Sequence, residues 1–521
     1  MKFKEFRYIY VNHNLAFQFF KIHLDKSGTL KKYTGYLVFI LGFIKTINRI
    51  SIISNLSRPV HSLLIGYASE IAWANQNKIE YDVKQVPDSM QNTRSRFEFF
   101  DYIIIGSGPG AAIAYSKLPK NAKILLVESG DASKTPENLN HSLLSLQNDF
   151  KDNGAEFILS RDLPQFAQGK LLGGGSEINS GLYHDLPDHL LTDFSKRCEV
   201  STADWDLAQE KIRRILNLSL SEISLSNSLI ARGASVMGLE FKNIPRWRET
   251  IAGCITQFGM RKLFWDDALN AGLQVELNCT VKRIDNSNKE YLQVIASTQN
   301  HESLVYKCKK VIVSAGTIST PQILRASGLL KKENIKFQWH PMIRVISKSK
   351  ENDLGYLEID PVQAWTPDKE IKFGNGVSTP GLLSVGLNRF VSNLEAKELR
   401  SYYASFKSSG EGGQLPLKGL PWYRSSCLDL ELENKAKEML TQIIKNGGGE
   451  IIPDMFGRVF KKSTVHIFGS LPIGSEVFIN GSSKLRIDPR IQISDGSLLP
   501  KPPGVNPQGV IMTLCSLVVT A

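Results

Sequence analysis

Closely spaced cysteines are missing from this 521-residue chain. Its six cysteines (Cys198, Cys254, Cys279, Cys308, Cys427 and Cys515) are scattered, and no C-x-x-C pair occurs. That argues against a disulfide framework and a metal site, and it fits a reducing compartment, the cytoplasm. Also lacking is a membrane-spanning run near the start. The uncharged run Tyr33 to Ile44 stops at Lys45 after twelve residues, short of the roughly 20 that a spanning helix needs. No secretory signal with a cleavage site is visible. No nucleic-acid recognition module accompanies the basic residues, so nucleic acid is not an expected partner. A hydrophobic content of 42% with 22% charged residues is that of an ordinary globular protein, and the length calls for two domains and an appendage.

What is present is, first, an uneven charge. The chain carries a net charge of +12. Residues 1–50 hold nine Lys and Arg against Glu5 and Asp25, more than half of the excess in a tenth of the length. Phe and Ile clusters run between those charges. One reading is an interfacial helix held to anionic lipid by its lysines, a peripheral contact with the inner face of the membrane through residues 1–56. The other is a helical extension packed on the rest of the chain with its charges solvated. Val60 to Ala74 reads as helix and Asp82 to Arg96 as polar linker. No chemistry can be assigned to the first 97 residues.

The chemistry begins at Phe99. Tyr102 to Ile105 is apolar and β-rich, as a parallel strand buried on both faces should be. Gly106 and Gly108 permit a tight turn and let peptide N–H groups approach a pyrophosphate, Pro109 opens a helix, Gly110 follows, and Ala111 takes the third small position. The free N–H groups and dipole of that helix favour an anion. Lys123 to Val127 forms a second apolar strand ending in Glu128, 22 residues beyond Gly106, where a dinucleotide fold places its ribose-binding acid. Glu128 suits an unphosphorylated ribose, so FAD and NAD both remain open at this point. Farther on, Leu172-Gly173-Gly174-Gly175-Ser176-Glu177-Ile178-Asn179 puts three glycines in an apolar frame, meaning backbone laid against something flat or a very tight turn.

With those blocks in place the chain resembles the glucose–methanol–choline (GMC) family of FAD oxidoreductases. The Gly-rich turn, the L-G-G-G-S-x-x-N block, the run Ser314 to Gly328, and the C-terminal elements His466-Ile467-Phe468-Gly469-Ser470, Asp495-Gly496-Ser497 and Asn506-Pro507-Gln508 fall in the family's order. Leu330 stands where a glycine is usual and Ser470 replaces the usual threonine. The resemblance implies an α/β protein with a Rossmann-like FAD-binding domain assembled from residues 98–185, 250–330 and 462–521. A substrate domain built on an antiparallel sheet would come from residues 186–249 and 331–461, behind a helical N-terminal extension of residues 1–97. It makes Gly174, Gly175, Ser176 and Asn179 flavin and pyrophosphate contacts and gives Val281 to the adenine. Asp495 and Gly496, with Pro507 and Gln508, fall on the flavin side. Ile178 occupies the position where some members carry a histidine bonded to the flavin, so FAD should be held non-covalently.

The resemblance also makes His466 the general base and Asn506 its partner at the substrate oxygen. Oxidising an alcohol requires a base for the O–H proton and a fixed oxygen, and a neutral imidazole and an amide suit those tasks. Asn506 is expected to cap the helix Gln508 to Val519, with Pro507 its first residue. His184 and His340 are the fallback bases. The expected activity is FAD-dependent oxidation of a CH–OH group of an alcohol, polyol or sugar-type substrate, as a dehydrogenase passing electrons onward, with quinone as one acceptor. The alternatives are an oxidase using O2 on a sterol or long-chain alcohol, and a non-catalytic flavoprotein that kept the fold.

Overall fold

The structure, a computed structural model, describes residues 65–66, 68–70 and 99–520, apart from 133–142, 155, 163, 221–224, 252–253, 258, 332–333, 350–358, 410–411 and 417–418. The interfacial segment and almost all of the N-terminal extension lie outside the described residues. Among those described, no helix is long and apolar enough to cross a membrane, and no cluster of His, Cys, Asp and Glu is placed to hold a metal.

Two large sheets form the body, and the first is organised on β1 (Phe99–Ile105). β1 leads through the glycine turn into α1 (Pro109–Ser116) and back to β2 (Ile124–Val127), which pairs parallel to it with Ile105 opposite Val127. On its other side β1 pairs parallel with the strand Ser303–Val313. That long strand serves two neighbours. Its first half alternates exposed and buried and pairs antiparallel with Leu292–Thr298, which in turn pairs with Cys279–Asp285. Its last residues, Val311 to Val313, are buried on both faces and pair parallel with Ile491–Ile493. The burial pattern changes where the sheet changes from a hairpin with one solvated face to a covered parallel layer. Ile103, Ile104, Leu126 and Val311 to Val313 are fully buried in this core together with Val510, Met512 and Val518 of the C-terminal helix.

The second sheet is nine-stranded and mostly antiparallel. At its centre Met342–Lys348 pairs with Leu399–Phe406, which pairs with Ile371–Gly376. Strands Glu156–Phe157, Gln165–Phe166 and Lys461–Thr464 extend one side, although the expected layout gives nearly all of these residues to the dinucleotide domain. Helices Leu229–Val236 and Cys427–Asn446 cover one face, burying Ile230, Leu440 and Ile443 against Val345 and Phe373.

Two helix expectations are corrected. The residues Lys435 to Lys445 have by themselves the amphipathic pattern of a helix with Asn434 as cap, but the helix begins eight residues earlier, at Cys427, so Asn434 lies inside it. Ser426 is the cap: its hydroxyl accepts from Asp429 N at 3.1 Å, and the Asp429 carboxylate accepts from Ser426 N at 2.8 Å. The reciprocal pair satisfies two N–H groups that the helix cannot. The C-terminal helix spans Gln508–Val518 and is preceded by Pro507, with no side chain capping it. Asn506 does not cap it, because its side-chain oxygen is engaged elsewhere.

Candidate active site

A cleft of about 1150 Å³ runs between the two sheets, and most of the residues singled out from the sequence line it. Among them are Gly106, Gly108, Pro109, Gly110, Glu128, Gly174, Gly175, Asn179 and Val281, together with Asp495, Gly496, Pro507 and Gln508. His466 and Asn506 line it too. Ala111 and Ser176 do not line it. Ala111 is fully buried where α1 meets β1. Ser176, expected at the flavin, turns its hydroxyl away to donate to Gly173 O at 2.7 Å and to accept from Met260 N at 2.9 Å.

The glycines do different work. Gly106 adopts φ +88°, and a Cβ there would sit 2.3 Å from the Ser314 carbonyl oxygen. A Cβ on Gly110 would be 1.8 Å from Ser494 O, so these two let the backbones of distant segments touch. At Gly108 and Gly175, by contrast, an added Cβ would meet nothing within 4 Å. They leave open the floor of a cradle at the start of α1, whose first turn carries no side-chain cap. A pyrophosphate fits such a cradle: open backbone, helix dipole and space.

Glu128 is buried and fastens this turn. One of its oxygens accepts from Ser107 N at 3.0 Å and from Ser107 Oγ at 2.7 Å, and the other from Gly130 N at 2.8 Å and Ser129 Oγ at 3.1 Å. Ser107 also accepts from Gly173 N at 2.9 Å, so the two glycine blocks share one knot. Asp495, beside Gly110 and Ser494, plays a similar part. It accepts from Gly316 N, Thr320 Oγ1 and Ser497 N at 2.9, 2.5 and 2.9 Å, joining the helix Gly316–Ala326 to the C-terminal segment. Burial pushes its pKa up against those bonds. Asn179 donates to Gln508 Oε1 at 2.6 Å.

His466 is brought to the cleft by a short antiparallel pairing of Ile467–Phe468 with Gln338 and Trp339. The register sets His340 beside it, with Nδ1 to Nδ1 at 3.3 Å. Gly504 N donates to His340 Nε2 at 3.1 Å. A peptide N–H can only donate, so His340 keeps its proton on Nδ1 and directs it at His466 Nδ1. Neutral His466 then carries its own proton on Nε2. Burial and the positive charges of Lys372 and Arg344 hold the His466 pKa well below the usual histidine range, so the ring is neutral near pH 7.

Comparison with known proteins fits this geometry. The model of the GMC oxidoreductase family matches residues 100–343. An uncharacterised GMC-type oxidoreductase, y4nJ of Sinorhizobium fredii, is 22% identical over 472 residues, covering 80% of this chain and 92% of that protein. The chain is similar to the GMC oxidoreductases. Other relatives include a long-chain-alcohol oxidase, FAO4A of Arabidopsis thaliana, 24% identical over 54% of this chain and 40% of that protein. The chain therefore spans less than half the length of that plant relative. The crystal structure of pyridoxine 4-oxidase from Mesorbium loti superimposes with a TM-score of 0.62 at 14% identity, covering 80% of this chain and 98% of that one, which shows a shared fold. GMC oxidoreductases are generally FAD-dependent.

Three side chains of this site escaped the sequence reading. Lys372 lies buried on the strand Ile371–Gly376 and donates from Nζ to Asn506 Oδ1. Burial alone pushes its pKa down to about 7. Ser107 is the knot just described. Arg344, on Met342–Lys348, lines the cleft. A lysine or arginine within a short strand reads as a solvated residue, and only the tertiary pairing reveals otherwise. His184, a fallback base, is buried, and its Nε2 has no partner among the described residues.

Proposed function

We propose that this chain binds FAD non-covalently along the cleft and oxidises the CH–OH group of an alcohol, polyol or sugar-type substrate to a carbonyl. The observation that carries the reading is that His466 and Asn506 line the same cleft as an open glycine cradle. The flavin, when bound, supplies the hydride acceptor. The protein's own part is to orient the substrate oxygen and take its proton.

Asn506 does the first. Lys372 has only donors, so the amide oxygen must face it and the amide NH2 is turned toward the substrate oxygen. His466 does the second. Its Nε2 carries the proton while His340 donates to Nδ1, so accepting the substrate proton at Nε2 requires the pair to exchange roles. His466 then directs an Nδ1 proton at His340, and His340 gives up its bond from Gly504. Ile178 lines the cleft and offers no nucleophile, which supports non-covalent binding. Glu128 already accepts four hydrogen bonds, the number its lone pairs allow. A ribose hydroxyl there must replace one, and the Ser129 hydroxyl, the longest, is the bond to yield.

The test is anaerobic bleaching of the flavin by a panel of sterols, long-chain alcohols, polyols and sugars. Reduction by at least one alcohol is expected, and a yellow protein that none of them bleaches supports a non-catalytic flavoprotein. The electron acceptor is proposed to be other than O2. The long-chain-alcohol oxidase relative favours a second reading, an oxidase, and stoichiometric H2O2 during turnover would establish it.

Binding has its own test in the glycines. Gly108 has extended backbone and open surroundings, so Gly108→Val is expected to fold as the parent does yet purify with flavin content reduced at least about tenfold. Gly110→Ala meets Ser494 O and is expected to disturb folding itself. Flavin-to-protein absorbance and circular dichroism separate the two outcomes.

A further inference from the structure

Arg344 faces the cleft with little to hold. Its Nε donates to Ser463 Oγ at 2.8 Å, an Nη2 hydrogen points at Met342 Sδ 3.6 Å away, and the guanidinium lies 5.9 Å from the centre of the Tyr403 ring. A guanidinium has five N–H donors in a planar fork, so most of this one is unspent. No carboxylate among the described residues pairs with it. Of the carboxylates in the cleft wall, Glu128 is held by four donors and Asp495 by three, and Asp454 is held by Arg458 at 3.0 Å and Lys461 at 3.8 Å. Asp152 sits in the turn Lys151–Gly154.

The neighbours are basic as well. The charges of Arg344 and Lys372 both bear on His466, and Lys372 bears on His184 and His340. Arg344, which lines the cleft, and buried Lys372, bonded to Asn506 of its lining, thus place two cations near His466, and among the described residues no carboxylate pairs with either. Unpaired buried charge is costly, and a free planar fork is the geometry that carboxylates match.

We propose that Arg344 receives a carboxylate of the substrate, so that the alcohol oxidised is a hydroxy acid. Its carboxylate sits on the Arg344 fork while its hydroxyl lies between His466 and Asn506. Arg344 reaches Ser463, three residues before His466 in the chain, a separation of roughly 10 Å at full extension. An ω-hydroxy acid with several methylenes between its two ends spans up to such a distance. This inference names the substrate class of the site and rests on the alcohol-oxidising reading above.

The experiment compares ω-hydroxy carboxylates of graded chain length with the parent alkanols of equal length as reductants of the anaerobic holoprotein. At least one hydroxy acid is expected to bleach the flavin about tenfold or more faster than its alkanol. In Arg344→Gln that ratio is expected to fall to about one, and Arg344→Lys should restore part of it. Alkanols that match or exceed the hydroxy acids in the parent would overturn the proposal. So would an Arg344→Gln protein that keeps the parent's ratio, which would assign the guanidinium to another task. If no alcohol of either kind reduces the flavin, the oxidative reading fails and the anion site is read by heating with hexanoate. Protection of the parent but not of Arg344→Gln upholds the site, and equal or no protection rejects it.

Discussion

Replacing His466 by Ala is expected to slow anaerobic flavin reduction by about 10²- to 10⁴-fold, the range over which a positioned general base contributes. Flavin content should stay near the parent's, because the bonds that hold the Glu128 knot and the glycine turn are made by Ser107, Ser129, Gly130 and Gly173 and not by His466. His340→Phe is expected to cost less. It keeps an aromatic ring against Phe468, whose centre is 4.9 Å from that of His340, but removes the ring nitrogen that accepts from His466 Nδ1 once the pair has exchanged roles. The pH profile gives an independent sign. A depressed histidine pKa means that the base is lost only as pH falls through that low value. The parent's rate should therefore be level through neutrality with its acid limb below the usual histidine range. Removing the positive charge of Lys372 or Arg344 lifts the His466 pKa and moves that limb to higher pH. An Ala variant that is bleached at the parent's rate removes His466 from the chemistry.

Much of this arrangement was legible in the sequence, because short-range rules govern it. The β1–α1–β2 unit announces itself through an apolar run, a glycine turn and an acid at fixed spacing, each required locally by backbone geometry. His466 and Asn506 could be named because motif order carries them. Contacts that depend on distant pairing were not legible. Ser426 and Asn434 are both plausible caps by type, and only the reciprocal bond with Asp429 decides between them. Asn506 ahead of a proline has the form of a cap, yet the buried Lys372 claims its oxygen from another sheet. The Ser303–Val313 strand extends six residues before the Lys309 from which its apolar pattern starts, since its first half is half-solvated and alternates.

Lys372→Met should reveal its role through two readouts of different sign. Activity should fall: without the Nζ donor the Asn506 amide is free to turn its oxygen toward the substrate, and flavin reduction is expected to slow by about tenfold or more. Stability should rise, and the pH window follows from linkage. The Lys372 pKa is about 7 when folded against 10.5 for the free side chain. Between those values the unfolded chain binds the proton that the folded one has released, so stability increases with pH across that interval. The cost of burying the cation is therefore present in full below about pH 7, shrinks as pH rises toward 10.5, and is absent above it. Met carries no such cost, and the half-buried Asn506 oxygen can take a water from the cleft. Denaturant unfolding near pH 6 should show the variant more stable by on the order of 2–4 kcal/mol, with the gap narrowing toward pH 10. A cation kept at that expense next to Asn506 is selected for what it does to the amide. A variant that lost stability at every pH while keeping full activity would instead make Lys372 a packing residue.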